Sequence, residues 1–168
     1  MVARYPRLPY TESHYPMEAA MVTGFNHSGF VVKDLEKMVR FYTELLGMQV
    51  VREAESFAPP EGDHTGIDGA HRKLVFLGKQ GDKHLLELVH FVDPPSPEGH
   101  LERYQLGGAH VCLEVDDLTA LHERLTAEDI KFVTPPKFTE RPDGGLNGVC
   151  YAVDPEGNYL ELAEIGPS

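Results

Sequence analysis

The chain is poor in cysteine, poor in basic residues and without long apolar segments. Its two cysteines, Cys112 and Cys150, cannot form a disulfide framework and lie in apolar, strand-like runs, so we expect buried thiols in a reducing cytoplasm. Lys and Arg number 15 against 27 Asp and Glu, and the net charge of −12 argues against nucleic acid or membrane as partners. No apolar run could span a bilayer, and no secretory signal is visible.

The rest of the composition is that of an ordinary soluble protein. The hydrophobic fraction is 41% and the charged fraction 25%, and 168 residues suffice for one domain or two small modules sharing a core. Prolines without hydrophobic periodicity predict an N-terminal arm over residues 1–20. A proline- and glycine-rich linker over residues 93–107 separates a first module, 21–92, from a second module, 108–166.

One short pattern occurs twice in the chain. In each copy a histidine is followed seven residues later by aspartate and then leucine: His27, Asp34 and Leu35 in the first, His110, Asp117 and Leu118 in the second. A strand-like run containing a glutamate closes each copy, with Glu87 in the first and Glu161 in the second. Two histidines and two glutamates at matching places suggest a single four-ligand site.

Both copies also have the same order of predicted elements. Alternating residues predict a strand around each histidine, Asp34 and Asp117 are well placed as helix N-caps, and three strands complete each copy. Loops are predicted at residues 54–70 and 135–145, and the first has the length of a lid or binding loop. The sequence therefore predicts an α+β chain of two βαβββ modules that build one sheet system between them.

The four repeated residues have a plain structural interpretation and a functional one. A strand histidine is more often packed than ligating, and a glutamate can stay solvated at a sheet edge. However, Glu87 and Glu161 lie on faces that look inward, where a carboxylate without a partner is costly. A divalent cation bound by all four residues compensates both carboxylates and accepts lone pairs from neutral imidazoles. This donor set suits Zn, Ni, Co, Mn or Fe and leaves one or two positions for water or substrate.

The surrounding motifs resemble those of the vicinal oxygen chelate superfamily, which includes glyoxalase I, methylmalonyl-CoA epimerase, extradiol dioxygenases and bleomycin- and fosfomycin-resistance proteins. The likeness covers about residues 22–166. His27 and Phe41-Tyr42-Thr-Glu-Leu-Leu-Gly47-Met48 resemble the opening unit of the family. Tyr104-Gln-Leu-Gly-Gly-Ala-His110 and Asp154-Pro-Glu-Gly-Asn-Tyr-Leu-Glu161 resemble the second.

The resemblance implies a fold, a ligand set and a type of chemistry. It implies that His27, Glu87, His110 and Glu161 bind one divalent metal, inside a cup-shaped curved mixed sheet with helices outside. The metal would act as a Lewis acid on a small-molecule substrate chelated through two neighbouring oxygens, while a carboxylate moves a proton. This ligand order fits glyoxalase I best, with Glu161 as the base and Glu87 able to play the mirrored role. Family members pair modules within or between chains, so a homodimer is expected.

Three alternatives remain at this stage. An Fe(II) extradiol dioxygenase would use His27, His110 and Glu161, but Glu87 would fill its open position, and residues 141–150 contain no acid/base histidine. An acyl-CoA epimerase needs the same metal and one or two bases. A non-enzymatic ligand-binding or resistance protein typically lacks the four ligands. Glyoxalase I usually has an arginine shortly after the first ligand to hold glutathione, and residues 28–32 offer none.

Overall fold

Two mixed β-sheets, one from each half of the chain, form the framework of residues 22–166, the part that this computed structural model describes. The arm predicted for residues 1–20 lies outside the described residues. Two sheets with few helices confirm the predicted α+β class. Among the described residues, no helix combines the length and apolar character needed to cross a membrane.

The first half of the chain contains β1 (His27–Val31), α1 (Leu35–Arg40), β2 (Gln49–Phe57), β3 (His71–Gly78) and β4 (Leu85–Asp93). The strand order of the first sheet is β1-β4-β3-β2, with β1 parallel to β4 and the other pairs antiparallel. Helix α1 continues directly into a π-helical turn over Phe41–Leu45. Strand β2 extends to Phe57, so the predicted loop of residues 54–70 is confined to residues 58–70.

The second sheet repeats this arrangement with one addition. Its elements are β5 (His110–Glu114), α2 (Leu118–Ala127), β6 (Lys131–Phe132), β7 (Lys137–Glu140), β8 (Leu146–Val153) and β9 (Tyr159–Glu164). The order is β5-β9-β8-β6, β5 is parallel to β9, and β7 also pairs with β8. The loop predicted for residues 135–145 was therefore wrong in part. All four residues of β7 are exposed, so pairing with β8 defines this strand and no burial pattern marks it in the sequence.

Both predicted helix caps are confirmed. A carboxylate oxygen of Asp34 accepts a hydrogen bond from the Lys37 backbone N–H over 3.0 Å, and Asp117 accepts one from Ala120 over 2.8 Å. Each bond satisfies one of the backbone donors that a helix start leaves unpaired. The caps therefore fix where each helix begins after its histidine-bearing strand.

A single apolar core is shared by the two halves. Leu86 and Leu88 of β4 and Leu160 and Leu162 of β9 are all buried in it, together with residues of both helices. Because successive strand residues point to opposite faces, the residues between these leucines point away from the core. The shared core thus turns the other face of each sheet outward.

A buried hydrogen bond also joins the two halves. The Tyr42 hydroxyl donates to Asp154 over 3.0 Å, and both residues are buried. The same carboxylate accepts the backbone N–H groups of Glu156 and Asn158, so it also closes the turn between β8 and β9. Burial and this carboxylate raise the pKa of Tyr42. The contact positions the glutamate-bearing strand β9 relative to the first helix.

Candidate functional site

His27 and Glu87 lie on adjacent strands of the first sheet. Glu87 is opposite Gly29 in the register of β1 and β4, two residues from His27. Nε2 of His27 lies 3.3 Å from Oε2 of Glu87, and the two side chains are 39% and 13% exposed. A Cβ atom at Gly29 would lie 3.3 Å from the same oxygen, so the glycine leaves room for the carboxylate. We call this pair the first half-site.

His110 and Glu161 form the matching pair on β5 and β9. Glu161 is opposite Cys112, again two residues from the histidine in the register. Nε2 of His110 lies 3.0 Å from Oε2 of Glu161, with side-chain exposures of 43% and 26%. We call this pair the second half-site. The sequence repeat is thus matched by a repeat in geometry.

The structure brings these residues together in pairs and not as four. Among residues 22–166 it contains no group of three or more His, Cys, Asp or Glu side chains placed to hold a metal. The reason is the shared core: each sheet packs its leucines inward, so each half-site lies on an outward face. Glu87 and Glu161 therefore face away from the core of their own chain rather than into it.

The donor atoms of the half-sites suit a cation. Nδ1 of His27 lies 2.8 Å from Oδ1 of Asn26, which as an amide oxygen can only accept. In the tautomer with Nδ1–H, this N–H donates to Asn26 and Nε2 presents a lone pair towards Glu87. A positive charge between that lone pair and the carboxylate makes the contact attractive, and either a proton on Nε2 or a bound cation supplies it. Orientation of a histidine through its other nitrogen is usual at metal sites.

Tyr151 of β8 lies beside the second half-site and contacts both of its residues. Its hydroxyl donates to Oε2 of Glu161 over 3.0 Å and lies 3.4 Å from Nε2 of His110. Burial and the hydrogen bond to Glu161 raise the pKa of this hydroxyl. Sequence reasoning did not include Tyr151 among the site residues. The antiparallel register of the β8–β9 hairpin, which pairs Tyr151 with Glu161, was the signal for it.

The corresponding position in the first half-site is Phe76. It pairs with Glu87 in the register of β3 and β4, and its ring packs edge-on against His27 at 5.6 Å between centroids. The Arg52 guanidinium lies 3.9 Å above the Phe76 ring. The two half-sites thus agree in histidine and glutamate and differ in the aromatic residue beside them.

The other predicted residues have simpler environments. Cys150 is buried as expected, but Cys112 is exposed on the half-site face, so the prediction of two buried thiols was wrong for Cys112. The strand places its thiol beside His110, opposite the core. Partial desolvation of the thiol by neighbouring side chains, together with the charges of Glu161 and Glu114, raises the pKa of Cys112. A further histidine of the first sheet, His71 of β3, lies 2.6 Å from the Glu55 carboxylate of β2, a contact between neighbouring strands and not with a half-site.

Two clefts of about 590 and 640 Å³ lie between elements of the two halves. Neither is lined by a half-site residue. The first is formed largely by residues 94–100, and the second by the turn after α1 and the start of α2. The half-site residues lie instead on a partly exposed face of each sheet, with side-chain exposures between 13% and 43%.

Comparisons with known proteins agree with this fold. Residues 24–162 match the family model of the Glyoxalase/Bleomycin resistance protein/Dioxygenase superfamily. Lactoylglutathione lyase of Pseudomonas aeruginosa is 27% identical over 152 residues, covering 83% of this chain and 81% of its own. The enzyme of that name from Neisseria meningitidis serogroup A is 30% identical over 143 residues, with coverages of 82% and 88%. A glyoxalase family protein from Bacillus cereus has the same fold, with a TM-score of 0.75, 22% identity and coverages of 89% and 98%.

Proposed function

Because the chain belongs to the glyoxalase/bleomycin resistance protein/dioxygenase superfamily, we propose that it is a metal-dependent enzyme of the glyoxalase I type. Its reaction would be a proton transfer on a small substrate bound through two neighbouring oxygens. The observation that carries the proposal is the pair of matched half-sites, His27 with Glu87 and His110 with Glu161. Relatives named lactoylglutathione lyase support it.

The two half-sites together would hold one divalent ion, Zn, Ni, Co, Mn or Fe, through two imidazoles and two carboxylates. The donor set fits, because each histidine nitrogen already lies within 3.3 Å of a carboxylate oxygen and such mixed N/O sites bind borderline divalent metals. When bound, the ion supplies Lewis acidity that stabilises negative charge on a neighbouring substrate oxygen.

The protein's own part in the reaction is to move a proton. A carboxylate beside the substrate, Glu161 or in the mirrored role Glu87, would remove a proton from the carbon next to a carbonyl group. It would return that proton to the neighbouring carbon, so one residue acts first as base and then as acid. Both carboxylates are partly exposed, so a substrate can reach either of them.

A second copy of the chain would complete each site. Strands β1 and β5, which carry the histidines, are sheet edges paired on one side only within the described residues. A homodimer that sets β1 of one protomer beside β5 of its partner would bring a first half-site to a second half-site. We expect this dimer in the cytoplasm, where Cys112 and Cys150 would stay reduced.

Metal content and turnover test the proposal together. The purified protein should contain about one divalent ion per chain and should convert the hemithioacetal of methylglyoxal and glutathione. Chelation should abolish this turnover, and re-addition of single ions should restore it. A catechol tested in parallel reports ring-cleaving dioxygenase activity. A metal-free protein that only binds a hydrophobic ligand would contradict the proposed function.

A further inference from the structure

The two half-sites differ by one hydroxyl group at equivalent positions. Tyr151 and Phe76 each lie on the strand next to the glutamate strand and pair directly with Glu161 and Glu87. Their rings contact the histidines similarly, edge-on at 5.3 Å for Tyr151 with His110 and at 5.6 Å for Phe76 with His27. Both histidines therefore pack against an aromatic ring in the same way, but only the ring beside the second half-site, that of Tyr151, carries a hydrogen-bond donor.

The Tyr151 hydroxyl bonds to the carboxylate oxygen of Glu161 that faces His110. Tyr151 donates to Oε2 of Glu161, the same oxygen that lies 3.0 Å from Nε2 of His110. A carboxylate oxygen can accept this bond and still use another lone pair. In the first half-site, Phe76 offers Glu87 no such donor. Oε2 of Glu161 thus has two polar side-chain neighbours, His110 and Tyr151, whereas the aromatic ring beside Glu87 adds no hydrogen bond to its contact with His27.

We propose that Tyr151 is a positioning residue that holds the Glu161 carboxylate, and with it His110, in the orientation that binds the metal. The inference rests on the proposed function, since it assigns a role toward the same ion. It makes the half-sites unequal: the Tyr151 hydroxyl preorganises the glutamate of the second, and Phe76 offers no equivalent donor to the glutamate of the first. Groups that orient metal ligands in this way typically change metal affinity by about 10- to 100-fold when removed.

Tyr151→Phe tests this role directly. The substitution removes only the hydroxyl, and Phe76 shows that a phenyl ring fits the equivalent position. We expect metal affinity, measured by competition with a chromophoric chelator, to fall about 10- to 100-fold. We also expect the visible absorption of the Co(II)-substituted protein to change. The thermal midpoint of the metal-free protein should remain close to that of wild type.

Tyr159→Phe is the matched control. Tyr159 lies on the same sheet and its hydroxyl also donates to a carboxylate, but the acceptor is Glu102, 2.7 Å away in the segment before β5 and not a half-site residue. This variant should keep wild-type metal affinity and the wild-type Co(II) spectrum. A folded Tyr151→Phe protein with both properties unchanged would overturn the inference alone, as would an equal loss in both variants. A wild-type protein that binds no metal would overturn the proposed function and this inference with it.

Discussion

Glu161 has two partners at the scale of single residues, and they assign it two different tasks. Its Oε2 atom faces His110 and accepts the Tyr151 hydroxyl, which suits a metal ligand. The carboxylate is also 26% exposed on an outward face, which suits a group that exchanges a proton with a substrate. Both tasks need the negative charge rather than the shape of the side chain.

Glu161→Gln should therefore abolish turnover and leave the fold intact. The amide keeps the size of the carboxylate but is neither a base nor an anionic ligand, so we expect a loss of at least about 100-fold in kcat. The side chain lies outside the core, so circular dichroism and the unfolding midpoint should stay near wild type. Steady-state kinetics on the hemithioacetal measures the effect.

Glu164→Gln is a suitable control on the same strand. Glu164 points to the other face, where its carboxylate accepts the backbone N–H of Leu118 over 2.8 Å. The Glu164→Gln variant should have a lower unfolding midpoint than wild type, because this bond is weakened, and should keep wild-type turnover. Full activity in Glu161→Gln would show that the base is another residue, with Glu87 the next to test.

At the scale of elements, sequence reasoning succeeded where one local interaction defines a boundary. Asp34 and Asp117 were predicted as caps because a short acidic side chain before an apolar helix can bond its first turn. Strand β7 was not predicted, because all four of its residues are exposed and its pairing with β8 defines it. The pairing of Tyr151 with Glu161 was likewise a matter of register between strands, which composition alone does not specify.

The loop of residues 58–70 is an element with its own internal support. Asp63 accepts both the backbone N–H and the hydroxyl of Thr65, at 2.9 and 2.6 Å, and forms an ion pair with the buried Arg72. The two hydrogen bonds from Thr65, and to a smaller extent the positive charge of Arg72, lower the pKa of Asp63 to about 2. The ionised carboxylate thus ties the loop to strand β3.

Asp63→Asn should loosen this loop at neutral pH. Because folding lowers the pKa of Asp63, its ionised carboxylate stabilises the folded loop fully above the unfolded-state pKa of about 4. This stabilisation is lost as the pH falls through the lower pKa of the folded state. We therefore expect wild-type loop protection to decline between about pH 4 and pH 2, and to be low throughout in the variant. Amide hydrogen exchange of residues 58–70, corrected for intrinsic rates, measures it. Asp68→Asn in the same loop is the control, and equal protection in Asp63→Asn and wild type would refute the role of Asp63.

At the scale of the whole molecule, the repeat predicted four matching ligands, and the structure brings them together as two pairs. Parallel pairing of β1 with β4 and of β5 with β9 places each histidine beside the glutamate of its own half, and the repeated order of elements did not specify this pairing. How two such sheets pack depends on apolar faces that both halves share. Here the leucines of β4 and β9 lie in one core, so the half-sites face outward, and the proposed four-ligand site would form with a second copy of the chain.

Mixing inactive variants tests where the site forms. His27→Ala lacks a first-half ligand and His110→Ala a second-half ligand, so each homodimer should be inactive. If sites form between chains, their heterodimer contains one intact site, made by the unaltered half of each chain, and one site lacking both histidines. It should therefore recover about half the wild-type activity per dimer. Differently tagged, co-expressed chains allow its purification.

The heterodimer of wild type with His110→Ala provides the reference. It has one intact site under either arrangement, because the wild-type chain contributes an unaltered copy of each half, so it should show about half the activity in both cases. The His27→Ala/His110→Ala heterodimer separates the two. Recovery to the level of the reference places His27 and His110 of different protomers around one ion. Continued inactivity, with the reference active, would instead require both half-sites of one chain to meet, and hence a rearrangement of the core that now turns them outward.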